Sequence, residues 1–336
     1  MIQPKIFIGP MSKNVVDSVI EYCNENNVNI GLIPSRRQIE VGTLGGGYVN
    51  NWTTKEFCEY VRSKTDKILL VRDHGGDNQG NIEDNGSESL TEDCKYFDVI
   101  HIDPWKKYQD LGWGILRTED LINYCFKLNP NLYFEIATEE AIRPFTTEDL
   151  NNMLDYLKRR LEPEVFERIK YLVIQSGTAL KGSENIGTYN QDRLIEMVKV
   201  AKKWNLIAKE HNGDYLSNEL IKAKFEAGLD CINIAPEFGQ IETKEWMGVL
   251  HEYPQIVDKF YKICLESKKW VKWVSEDFKP EENKEELIKI CGHYVFSTPE
   301  FKQILNFYSN NTLSIYYNVI KIRIKTRIKE LLDNAK

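Results

Sequence analysis

The chain has 336 residues, 42% of them hydrophobic, which is enough for a substantial core. Its formal net charge of −7 argues against a nucleic-acid partner on electrostatic grounds. No window approaches the apolar length of a membrane span.

Met1 to Met11 is broken by Pro4, Gly9 and Pro10 and lacks the apolar stretch of a secretory signal, so the expected location is the cytoplasm. The seven cysteines, Cys23, Cys58, Cys94, Cys125, Cys231, Cys264 and Cys291, are widely spaced, odd in number and without a CxxC pair. They read as reduced, mostly buried thiols.

Short apolar runs alternate with amphipathic stretches along the chain. The runs cover residues 5–9, 29–34, 67–73, 97–103, 131–137, 169–175, 205–210 and 230–235. Each is rich in Ile, Val, Leu or Phe and bounded by polar or turn residues, the pattern of buried parallel strands. Helical stretches are expected at 12–25, 54–64, 118–127, 147–160, 191–203 and 217–227. The first opens on a Ser12 cap, and Gly228 closes the last. Only the link between the third and fourth runs looks poor in helix, because 75–89 is dense in Gly, Asn and Asp.

Eight such units predict an α/β fold, a closed (β/α)8 TIM barrel over residues 1–250. An open doubly wound sheet is the competitor, and the near-even eightfold alternation favours closure. From about Thr243 the pattern changes to an aromatic-rich helical extension, marked by Trp246, Tyr253, Phe260, Tyr261, Trp270 and Trp273. Residues 251–336 are expected to form a helical C-terminal extension packed on the barrel or on a partner. Within it, 321–329 is a basic amphipathic helix with Ile322, Ile324 and Ile328 between cations. It suits a membrane surface or an acidic partner, although a solvated terminal helix is the commoner outcome.

In such a barrel the reacting groups come from the C-terminal ends of strands and the loops after them. The third run ends in Asp73-His74, followed by a glycine-rich segment. The fourth ends in His101 and Asp103, which alternation puts on one face. The fifth carries Glu135, with Glu139 and Glu140 in its loop. The sixth opens into 175–183, with Gly177, Lys181 and Gly182. The seventh gives Glu210 and His211, then Gly213, and the eighth gives Asn233 and Ala235.

A lone buried carboxylate costs several kcal/mol unless it is paired, hydrogen-bonded or bound to a cation. These strand-end groups are therefore expected to support one another, as a metal site or as a structural hydrogen-bond network. Imidazoles with carboxylates suit Zn²⁺ or a harder divalent ion, and no HExxH or similar compact motif is present. The candidate metal ligands are His74, His101 and His211. The candidate acid–base groups are Asp73, Asp103 and Glu135. Gly177, Lys181, Gly182, Gly213, Asn233 and Ala235 are candidate substrate contacts. The glycines permit close backbone approach to an anion, or serve as ordinary turn residues.

Taken in order, these segments resemble the class II (metal-dependent) aldolases, closest to the accessory-subunit branch of D-tagatose-1,6-bisphosphate aldolase. The segments are Gly46-Gly47-Tyr48, Arg72-Asp73-His74-Gly75-Gly76, Ile100-His101-Ile102-Asp103, Glu210-His211-Asn212-Gly213-Asp214-Tyr215 and Ile232-Asn233-Ile234-Ala235-Pro236-Glu237. The resemblance implies a barrel and a sugar-phosphate substrate, with Asp73 handling a proton and His74 and His211 binding zinc. It also implies that Gly213 and 233–235 lie near substrate phosphate or hydroxyls.

Two departures stand out. Catalytic aldolases carry a metal-binding histidine after the sixth strand in Gly-Thr-Ala-His, whereas this chain has Gly177-Thr178-Ala179-Leu180. Either another set holds the metal (His74 and His211 with Glu135 or His101), or it is weak or absent. Asp214 stands where small residues surround the phosphate in those enzymes.

The first functional expectation is a lyase that cleaves or forms a C–C bond in a phosphorylated ketose or a related sugar acid through a metal-stabilised enediolate. Residues 75–89 would serve it as a mobile lid. The second is a non-catalytic accessory subunit that stimulates a catalytic aldolase. The third is a metal-dependent sugar-phosphate epimerase or isomerase. A Schiff-base Lys209 is a minor option, and its ordinary reading is a lysine paired with a neighbouring carboxylate. Expected partners are a small sugar phosphate and either further copies of this chain or a catalytic aldolase subunit.

Overall fold

The structure, a computed structural model, describes residues 3–137 and 144–336; Glu139 and Glu140 lie outside the described residues. Its strands are β1 (Ile6–Ile8), β2 (Ile30–Leu32), β3 (Ile68–Gly75), β4 (Val99–Ile102), β5 (Tyr133–Ile136), β6 (Ile169–Ile174), β7 (Leu180–Lys181), β8 (Glu184–Asn185), β9 (Ile207–Glu210) and β10 (Cys231–Ile234). Eight of them close a parallel barrel in the order β1-β10-β9-β6-β5-β4-β3-β2, while β7 and β8 form a separate antiparallel hairpin. All eight runs read as strands are therefore barrel strands. The hairpin, in the loop after β6, is too short and polar to announce itself in the sequence.

Period-two alternation sorts the strand side chains. Phe7, Leu69, Val71, Val99, Tyr171 and Cys231 form one buried cluster, and their strand neighbours belong to the larger core shared with the helices. Phe7 meets Tyr171 edge-on at 5.9 Å between ring centroids. Gly31 leaves room for that ring, since a Cβ there would lie 2.0 Å from Phe7.

The helices between the strands are α1 (Lys13–Asn26), α2 (Thr54–Arg62), α3 (Ser87–Tyr96), α4 (Leu111–Leu128), α5 (Thr147–Arg160), α6 (Pro163–Phe166), α7 (Gln191–Lys203) and α8 (Asn218–Glu226). Ser12 caps α1 through its side chain, and Thr53 and Thr146 open α2 and α5 with capping boxes. The third β-α link holds a full helix, α3, where the sequence looked poor in one. A fully buried ion pair anchors it, Arg72 Nη2 to Asp93 Oδ1 at 2.6 Å. Tertiary pairing there outweighs the turn-rich composition before it.

Five more helices follow β10: α9 (Pro236–Leu250), α10 (Pro254–Ser267), α11 (Lys284–Cys291), α12 (Pro299–Leu305) and α13 (Asn310–Asn334). The basic segment 321–329 has one face buried in the fold and the other exposed to solvent, with Ile322 61% exposed. It lies inside α13, which buries Ile320, Ile324, Ile328 and Leu331 across α1, α8 and α9. Lys321 and Lys325 bridge to Glu21 on α1 at 2.6 and 2.8 Å. Arg327 meets Glu237 on α9 at 2.6 Å. No described helix is long and apolar enough to cross a membrane. All seven cysteines are buried and free.

Candidate metal centre

The chemistry-bearing residues gather at the C-terminal rim because β3 ends irregularly. His74 has φ of 51°, and the β3–β4 register shifts between Arg72 and Gly75. A regular strand would send Asp73 and His74 to opposite faces. The left-handed residue and the bulge turn both into one cavity of about 450 Å³. Gly76, at φ 156°, completes the turn, and a Cβ there would sit 2.6 Å from the Asp103 carbonyl oxygen.

Three imidazoles face one another across this rim. The ring centroids of His101 and His211 are 5.0 Å apart, those of His74 and His101 5.3 Å, and those of His74 and His211 5.8 Å. Each ring has an acceptor on its outer nitrogen. His74 Nδ1 lies 2.6 Å from Asp103 Oδ2, and His211 Nε2 lies 2.7 Å from Glu135 Oε1. His101 Nε2 lies 3.3 Å from the Ala137 carbonyl oxygen. Carboxylate and carbonyl oxygens accept, so each ring donates from that nitrogen, and on His101 the other nitrogen, Nδ1, lies 3.4 Å from the His74 amide.

Those second nitrogens converge on one carboxylate. His74 Nε2 is 3.6 Å from Asp73 Oδ2, and His101 Nδ1 is 3.6 Å and His211 Nδ1 4.0 Å from Asp73 Oδ1. Asp73, His101 and His211 present ligand atoms within 4.8 Å of one another, as do His74, His101 and Asp103. Rings fixed from behind by acceptors, with their other nitrogens turned inward, suit a divalent cation. Asn233 adds a second sign of fit. Its amide is buried in the cavity wall, and among the described residues neither its nitrogen nor its oxygen has a hydrogen-bond partner.

The residues behind the rings are held firmly. Glu135 also takes an ion pair from Lys209 at 2.5 Å. Burial by itself would raise the Glu135 carboxyl, but the Lys209 charge and the His211 hydrogen bond outweigh it and hold the group well below the usual range. Lys209 is thus a fully buried lysine paired with a carboxylate, stacked 3.9 Å over Phe7 and away from the cavity lining. Its partner lies on β5 and is not the adjacent Glu210, which pairs with Lys224 at 2.7 Å. Asp103 accepts from Gln79 Nε2 at 2.9 Å and from the Trp105 amide at 3.2 Å.

The candidate substrate contacts divide. Asn233 and Ala235 line the cavity. Gly213 lies behind it and donates its amide to the Asn233 carbonyl at 2.8 Å. Gly177, Lys181 and Gly182 are outside the lining, and Leu180 is the residue of that loop on the wall.

The loops after the last two barrel strands hold no open anion cradle. Asp214 Oδ1 accepts from the amides of Ala235 at 2.9 Å and Glu237 at 2.8 Å, and Glu237 Oε2 accepts from the Tyr215 amide at 2.8 Å. Burial, then the Glu237 charge, push the Asp214 carboxyl up to about 8.

Other lining residues went unmarked as site residues in the sequence reading. They are Arg37 and Gln38 after β2, Gln79 and Lys106 after β3 and β4, and Lys272, Trp273 and Tyr294 from the links between α10 and α11 and between α11 and α12. The Arg36-Arg37 pair just past a strand end was a usable signal, since barrel loops after strands carry chemistry. The C-terminal residues had no such signal.

Fold and rim together define a (β/α)8 barrel with a histidine–carboxylate cluster at its C-terminal mouth. No family model matches the chain, and no curated protein matches it in sequence. Solved structures match its fold. One is a "probable tagatose 6 phosphate kinase" from Sinorhizobium meliloti 1021, with 14% identity, 99% of each chain covered and a TM-score of 0.74. The fructuronate-tagaturonate epimerase UxaE from Cohnella laeviribosi is 12% identical over 99% of this chain and 81% of that one, with a TM-score of 0.64. The fructose-bisphosphate aldolase Fba from Campylobacter jejuni is 12% identical over 99% and 90%, with a TM-score of 0.57. At these identities the likeness establishes the barrel.

Proposed function

We propose that this barrel is a metal-dependent, aldolase-like enzyme that breaks or forms a C–C bond in a phosphorylated ketose or related sugar. The observation that supports the reading is the convergence of His74 Nε2, His101 Nδ1 and His211 Nδ1 on Asp73, each ring held from behind by an acceptor. These three histidines would hold a divalent cation, and the donor chemistry suits zinc. A cation so held supplies a Lewis acid that polarises a sugar carbonyl and stabilises charge developing on its oxygen.

Asp73 takes and returns the proton beside that carbonyl. It lies among the rings, on the cavity wall, where a sugar can reach it. Asn233 offers its unpartnered amide to a hydroxyl or carbonyl oxygen. Asp103 and Glu135 fix the tautomers of His74 and His211 and so act as positioning residues.

The accessory-subunit alternative rests on Leu180, which cannot ligate. His101 weakens that argument, because it brings a third imidazole to the cluster from β4.

Elemental analysis of the purified protein tests the reading. About one equivalent of divalent metal is expected, lost in His74→Ala and His211→Ala. Asp73→Asn should lower solvent-deuterium incorporation into a ketose phosphate by at least about 100-fold. Unchanged exchange in that variant would remove Asp73 as the base, and a metal-free protein would remove the centre.

A further inference from the structure

Barrel enzymes frequently bind phosphate at the loops after strands seven and eight, with an adjacent helix N-terminus. In this chain that place is taken from within. Asp214 occupies the amides of Ala235 and Glu237 at the start of α9, and Glu237 occupies the amide of Tyr215. A second anion would find these donors already used, with two carboxyl groups beside them.

The lining of the same cavity also carries cationic side chains. Arg37, Lys106 and Lys272 all line the cavity. Arg37 is half-buried, and its guanidinium makes no hydrogen bond or ion pair among the described residues. Its neighbour Arg36 is the contrast, fully neutralised by Glu40 at 2.7 Å and Asp84 at 2.5 Å. Among the described residues, Lys106 donates only to the Asn78 carbonyl. Burial, followed by the charges of Arg37 and Arg36, pulls Lys106 below its ordinary range. Tyr48 and Tyr294 also line the cavity and pack on each other at 4.8 Å between ring centroids. A half-buried guanidinium with no partner among the described residues, near a lysine it repels, is an arrangement that an anionic ligand would relieve.

We infer that the substrate is a sugar with a single anionic terminus, a phosphate monoester or a carboxylate, and that Arg37 with Lys106 binds that terminus. Sugar bisphosphates are excluded, because the place for a second anion is filled by Asp214 and Glu237. The inference rests on reading this cavity as the substrate site, but not on any step of the chemistry.

Calorimetric titration of the full chain with four probes tests it: inorganic phosphate, fructose 6-phosphate, galacturonate and fructose 1,6-bisphosphate. Fructose 6-phosphate or galacturonate should bind, and whichever binds tighter identifies the terminus. Arg37→Gln should weaken that binding at least tenfold and flatten its salt dependence, while the surface control Lys127→Gln changes neither. Lys106→Gln gives the same answer should Arg37→Gln fail to fold. Fructose 1,6-bisphosphate should bind no tighter than the 6-phosphate.

Equal binding by both variants and the parent protein overturns the inference. So does no binding of any probe, or a tenfold preference for the bisphosphate. A protein without metal that still loses binding in Arg37→Gln defeats the catalytic reading and leaves this one standing. A metal-loaded protein indifferent to Arg37 and Lys106 does the reverse.

Discussion

Single residues at the rim carry separable tasks. Asp103 touches the outer nitrogen of His74, so Asp103→Asn should leave the fold intact and weaken metal binding by about 10–100-fold, read by chelator competition. Glu135 serves stability as well as the site. Glu135→Gln leaves Lys209 buried without its counter-charge, a change that costs about 3–5 kcal/mol at neutral pH. The pH dependence has a definite sign. A carboxyl held low in the folded state contributes its full stability above its unfolded value of 4.5 and loses it as pH falls through the folded value. Thermal melts followed by circular dichroism should therefore show a wide gap between parent and variant at pH 7, narrowing only well into acid. A constant gap from pH 7 down to pH 2 would mean that Glu135 is not held ionised by Lys209.

At the scale of elements, two local devices decide whether the site forms. The first is the irregular end of β3. Without the left-handed His74 and the bulge, Asp73 and His74 would face apart. The second is α13, whose two faces predict opposite responses to the same chemical change. Ile324 is fully buried against the barrel helices, so Ile324→Ala should cost about 2–5 kcal/mol in urea denaturation. Ile322 is 61% exposed, and Ile322→Ala should fall within about 0.5 kcal/mol of the parent. Equal losses would mean that α13 is not docked as described.

Across the whole molecule, barrel and C-terminal helices share one site. Lys272, Trp273 and Tyr294 line the same cavity as Asp73 and His211. Calorimetry of the full chain should show a single unfolding transition. A chain ending at Ser309 should melt lower, since it uncovers the faces of α1, α8 and α9 on which α13 lies. Two independent transitions in the full chain would separate the extension from the barrel.

The sequence by itself determined the eight strands and their closure, because period-two burial and helix periodicity are local patterns that survive in one dimension. It also marked His74, His101, His211 and Asp73 as candidates, since strand ends of a barrel open on one mouth. Only the tertiary structure decided which ring nitrogens turn inward. That depends on acceptors as distant as Glu135, Asp103 and the Ala137 carbonyl. It alone paired Lys209 with Glu135 and set Asp214 and Glu237 on the amides of the last loops. It alone brought Lys272 and Tyr294 back to the rim. Hydrogen bonds and ion pairs between residues far apart in the chain leave no periodic trace. They are fixed by the closing of the barrel, after local propensity has done its part.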